Sequence, residues 1–304
     1  MTLRTSTKFL LAVALVGGAF VAGELGRKRF ISRDLPVSSP VVASTQAPPT
    51  SKFEMNFTEA EETHVGDFVI RLQTRTVKNT CERGDRTTFT FVAVERAGRT
   101  LLTLDDASTH DECYGSTATY AVTSLAPGKT HLVVFQETYR DAAMVIATLD
   151  DTPRLIFKGG DFEVAEAGFS DLNKDGVAEI RAVSDRYRYF HHLSNANSPF
   201  PAVIFQYDAA TATYRPANPR FPEALPDAAA LERVKTASAR NDFGLPAMVF
   251  EIAIGYAYAG RDADAWAFFN QWFPGDPKEK AEARSALKKA LAADPVYRAV
   301  GTPK

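Results

Sequence analysis

Residues 170–180 read SDLNKDGVAEI, and they place oxygen-bearing side chains at alternate positions: Asp171, Asn173 and Asp175, followed by Gly176 and then Glu179. Alternate side chains of a tight loop converge on one side, and hard oxygens gathered in that way suit a calcium ion, which takes six to eight oxygen ligands. The backbone carbonyl of Val177 can add a further oxygen, and Glu179 can close the shell directly or through water. Gly176 permits the sharp turn such a loop needs. An EF-hand would require a bidentate glutamate at the twelfth position, where this chain has Ala182, and the segment downstream is β-like. Magnesium demands stricter octahedral geometry and holds its waters, so the expected cofactor is one calcium ion. The competing reading is a loop rich in Asx turns that tolerates the same residues.

Other chemistry is sparse. No P-loop, GxGxxG, HExxH, CxxC or GxSxG pattern occurs, and no catalytic residue is assigned. The stretch 185–192, DRYRYFHH, is the most suggestive surface. Read as a strand, it puts Arg186 and Arg188 on one face and Tyr187 and Tyr189 on the other, so that either wall could grip a sugar, a peptide or an anionic group. On the same strand His191 and His192 face opposite sides and do not share a metal easily. Two cysteines, Cys81 and Cys113, are expected to form one disulfide in an exported chain.

The elements that must carry these residues form a repeat. Residues 89–104, 143–158 and 201–216 each read as an apolar strand, a short polar turn and a second strand. Each hairpin is preceded by further strand-rich sequence, at 66–77, 124–139 and 170–190. The unit is therefore about four strands in about 50 residues, the arithmetic of a propeller blade, and three such units fall short of a closed ring. From Leu225 the period changes to helical: 226–240, 245–260, 262–273 and 276–294 predict four helices in a small bundle. The fold class expected is mainly β, in three blade-like antiparallel units, followed by a C-terminal α-helical bundle.

With the loop now placed at the start of the third unit, DLNKDGVAE resembles the calcium loop of FG-GAP and VCBS-type repeats, D-x-[DN]-x-D-G-x-x-[DE]. The resemblance implies a loop that opens a β-propeller blade and holds a calcium ion through Asp171, Asn173, Asp175, Val177 and Glu179. More weakly, GYAYAGRDADAWAFF resembles the turn of a TPR-type helical hairpin.

The 304 residues are 45% hydrophobic and 24% charged, ordinary for a globular protein, and the net charge of −2 argues against nucleic acid as a partner. Residues 1–23 open with Arg4 and Lys8 and continue with an uncharged apolar run at 9–23, which predicts a signal peptide or a retained membrane anchor. Residues 24–52 are a Pro/Ser/Thr linker, 53–220 the β-rich domain and 221–304 the helical subdomain. These features lead to an exported protein, periplasmic or tethered to the inner membrane through residues 9–23. Its expected role is that of a calcium-stabilised, non-enzymatic binding or scaffold module for a protein or glycan of the cell envelope. The alternatives are an envelope hydrolase acting on glycans or cell-wall material, and an inhibitor of a lytic enzyme.

Overall fold

The computed structural model describes residues 53, 55–78, 86–105, 115–137, 142–160, 162–163 and 168–301. All of them belong to one compact unit. The targeting segment, the linker, and both Cys81 and Cys113 lie outside the described residues.

The β-rich part is three antiparallel sheets, none closed into a barrel. The first runs in chain order through β1 (Glu62–Val65), β2 (Phe68–Lys78), β3 (Arg86–Arg96) and β4 (Arg99–Leu104). The second does the same through β5 (Thr117–Thr123), β6 (His131–Glu137), β7 (Ala142–Thr148) and β8 (Arg154–Lys158). The third follows the order β10 (Phe169–Ser170), β11 (Glu179–Ser184), β12 (Ala202–Asp208) and β13 (Thr213–Pro216), and the short β9 (Phe162–Glu163) pairs with the far end of β11. All three expected hairpins are present. In the first, Ala97 and Gly98 both take positive φ, 50° and 73°, which gives the two-residue connection the twist a hairpin requires. The first two hairpins also share a register shift, between Val94 and Glu95 and between Ile146 and Ala147.

The second sheet lies in the middle. Its inner strands read as nearly continuous apolar runs, HLVVFQ and AAMVIAT, because both faces are covered. Leu132 and Val134 pack with Ile70, Val92 and Val94 of the first sheet. Val133, Ile146 and Phe157 pack with Phe169, Ile180 and Val203 of the third sheet and with the helices.

Five helices follow: α1 (Ala228–Arg240), α2 (Leu245–Tyr258), α3 (Asp262–Trp272), α4 (Pro277–Ala293) and α5 (Pro295–Val300). Asp227 caps α1 through the Ala230 N–H, and Asp276 with Glu279 forms a capping box on α4. Helix α2 is buried around most of its circumference, as its sequence LPAMVFEIAIGYAY dictates. The second and third sheets share one core with the helices, running from Leu125 to Val296.

One expectation needs correction here. The strand expected over 170–190 is confined to β10 and β11 and ends at Ser184, so 185–192 is not a strand. No helix among the described residues is long and apolar enough to cross a membrane, and the expected anchor, residues 9–23, lies outside them. The expected disulfide is likewise no part of the described structure, since both cysteines fall outside it.

Candidate functional site

The acidic loop joins β10 to β11, and its side chains turn onto its own backbone. Asp171 Oδ2 accepts the Gly176 N–H at 3.1 Å, Asn173 Oδ1 the Asp175 N–H at 3.0 Å, and Asp175 Oδ1 the Val177 N–H at 2.8 Å. The Asn173 amide donates to Asp175 Oδ2 at 2.8 Å, and Glu179 Oε2 accepts the Leu172 N–H at 2.7 Å. The bonds of Asn173 and Asp175 to the N–H two residues on are two Asx turns in series. Lys174 and Gly176 take positive φ of 65° and 87°, and a Cβ at Gly176 would stand 3.3 Å from the Pro127 ring.

The side chains expected to cage calcium with the Val177 carbonyl, those of Asp171, Asn173, Asp175 and Glu179, are thus each engaged within the loop. Among the described residues, no three or more His, Cys, Asp or Glu side chains are grouped so that they could hold a metal ion. Close carboxylates relieve their mutual repulsion by turning to backbone N–H groups, and here they do so one by one. Glu179, 1% exposed, is raised above the ordinary carboxyl range chiefly by burial, and further by Asp175 and Asp171, while the Leu172 N–H opposes the shift. Asp171 Oδ1 is left buried without a hydrogen bond.

What the loop does visibly is join sheets. The Ala178 N–H donates to the Leu125 carbonyl at 2.8 Å, and the Ala178 carbonyl accepts from the Tyr214 hydroxyl at 2.9 Å. The Leu125 N–H in turn donates to His131 Nδ1 at 3.1 Å. The equivalent loops of the second and third sheets thus meet edge to edge.

The second region begins where β11 stops. The Arg188 N–H donates to the Asp185 carbonyl at 2.9 Å, and its guanidinium pairs with the Asp185 carboxylate at 2.8 Å, turning the chain away from the sheet. Tyr187, 2% exposed, drops inward and donates to Asp294 Oδ2 at 2.9 Å; Tyr258 donates to the same oxygen at 2.6 Å. Asp294 Oδ1 accepts the Val296 and Tyr297 N–H groups at the start of α5, at 2.7 and 3.4 Å. Burial, above all, pushes both phenols well above their ordinary range, so they serve as donors.

Tyr189 then turns outward, 63% exposed, with φ of 60°. Its N–H is held by Ser198 Oγ at 2.7 Å, and that hydroxyl donates to the Ser194 carbonyl at 3.0 Å. Phe190 packs edge-on against Tyr187 and Phe250, at 5.7 and 5.0 Å between ring centres. His191 and His192 are also left-handed, at φ of 50° and 65°. Three non-glycine residues of four in this region form a concentration of backbone strain, about 1–3 kcal/mol each, that persists only because the surroundings hold it.

Of the residues expected to form a ligand wall, the structure therefore keeps two outside. Arg186 and Tyr189 are exposed, Tyr187 is a buried anchor, and Arg188 is tied to Asp185. Sequence reasoning missed Asp294, although the Asp-Pro pair at 294–295 is a helix-start signal. It also missed His131, for which no local signal exists.

No protein-family model, curated protein or solved structure matches this chain. The likeness to FG-GAP and VCBS repeats rests on the loop residues alone.

Proposed function

We propose that the chain is an exported, non-enzymatic binding module of the cell envelope and that the corner at 185–198 is its recognition surface. The observation that carries this reading is the presentation of Tyr189. A large aromatic side chain is held outward in a left-handed conformation at a corner fixed by Tyr187, Ser198 and Phe190. A strained and exposed side chain on a rigid base contributes nothing evident to the core, and an aromatic ring of this kind supplies contact area to a sugar ring or a protein side chain at little entropic cost. Arg186, exposed on the same turn, adds a cation for an anionic or hydroxyl-bearing ligand. The partner is a protein or glycan of the envelope, the apolar run at 9–23 directs export, and the reading requires no bound ion.

The test uses purified protein against cell-wall glycan fragments and envelope proteins. Binding to one of these that is lost in Tyr189→Ala and weakened in Arg186→Ala, with unchanged melting temperature, supports the proposal. Consumption of the glycan, seen as new products by mass spectrometry, would replace it with a hydrolase. Binding unaffected by either substitution would move the surface elsewhere.

A further inference from the structure

We propose that His191 and His192 together form a site for one divalent transition-metal ion of the Ni²⁺, Cu²⁺ or Zn²⁺ class. Adjacent residues of an extended strand point to opposite faces and cannot chelate. Here both residues are left-handed, and their imidazoles come to the same side, with ring centres 5.7 Å apart and planes inclined by 46°. An ion about 2.0–2.1 Å from a ring nitrogen sits roughly 3.2 Å from the ring centre, so two imidazoles sharing one ion at tetrahedral or wider angles have centres about 5–6 Å apart. The observed separation lies in that range without backbone movement.

The surroundings agree with this use. His191 is half-buried and rests against Phe190 and Phe250, at 6.1 and 5.8 Å, which fixes one ring; His192 is exposed and leaves an entry path. Among the described residues, no hydrogen bond engages a ring nitrogen of either histidine. The three remaining histidines differ: His131 is buried and accepts the Leu125 N–H, His64 pairs with Glu62 at 2.7 Å, and His110 lies outside the described residues. Imidazole nitrogens suit borderline ions, whereas calcium and magnesium prefer oxygen. With no third His, Cys, Asp or Glu gathered there among the described residues, water would fill the remaining positions and leave the ion open to a further ligand.

The experiment titrates untagged full-length protein with Ni²⁺ and Zn²⁺ in chelator-free buffer by calorimetry. Wild type is compared with His191→Gln, His192→Gln and, as control, His64→Gln. The expected result is one ion per chain, with affinity about tenfold or more weaker in either of the first two variants and unchanged in the third. In parallel, substoichiometric Cu²⁺ is added to wild type and histidine ring signals are followed by NMR; those of His191 and His192 broaden first, which requires no variant to fold. Retained affinity in both variants, or broadening confined to other histidines, overturns the site. The proposal is independent of the recognition surface, because ligand binding through Tyr189 is measured in the presence of chelator.

Discussion

The phenol of Tyr187 reaches Asp294 across 2.9 Å, joining two residues 107 positions apart in the chain. One carboxylate thereby ties the corner after β11 to α2, through Tyr258, and to the first turn of α5. Replacing Tyr187 by Phe removes one donor and should lower the unfolding free energy by about 1–2 kcal/mol. Asp294→Ala strands two hydroxyls and two backbone N–H groups and should cost about 3–5 kcal/mol in urea denaturation. Equal, small losses in both variants would show that the carboxylate is not the shared acceptor.

Acid should loosen the contact between the second and third sheets through His131. Burial lowers this imidazole to about 4, assisted by Lys129 and opposed by Asp150. Because the folded value lies below the unfolded one, the unfolded chain binds the proton first. The neutral ring's contribution is complete above about pH 6.5 and is lost as pH falls toward 4, by roughly 3 kcal/mol at most. His131→Asn, which can still accept the Leu125 N–H, should flatten that part of the stability profile. An unchanged slope would assign it to other groups.

Glu179 works in the opposite direction. Its folded value is raised, first by burial and then by Asp175 and Asp171, so its contribution is favourable below the ordinary carboxyl range and is lost as pH rises through the folded value. Glu179→Gln keeps an acceptor for the Leu172 N–H and should raise the melting temperature at neutral pH. The rise should be the same in calcium and in EDTA.

Asp171 and Asp175 each satisfy a loop N–H group, so Asp171→Ala and Asp175→Ala should each destabilise by about 1 kcal/mol. The loss should not depend on calcium, and chelation should leave the parent protein's melting curve in place. A loss seen only in calcium would restore the ion cage.

Tyr189 offers a trade between stability and recognition. Glycine accepts φ of 60° without a Cβ penalty, and the side chain it removes is mostly solvated. Tyr189→Gly should therefore raise stability by about 0.5–1 kcal/mol while abolishing ligand binding. Lower stability would mean that the ring packs rather than presents.

The hairpins and the first four helices were legible because their signals are local. Alternating apolar residues, the Ala97-Gly98 turn and the caps at Asp227 and Asp276 each act within a few residues. The corner at 185–192 was misread for a physical reason. Tyr187 and Tyr189 alternate as strand residues would, but the carboxylate that draws Tyr187 inward lies at the other end of the chain. The acidic loop was legible as a turn but not as a joint, since its partner Leu125 belongs to the second sheet and Tyr214, which also holds it, lies 36 residues on in the chain. Helix α5 was missed because six residues carry too little periodicity to stand out.

The middle sheet has no wet side, and that makes the protein indivisible. A fragment ending after β8 would show bare Val133, Ile146 and Phe157 to water; one starting at β5 would show Leu132 and Val134. Either piece would clump before it could fold, so a protease that opens the chain anywhere near its centre should leave no stable half behind.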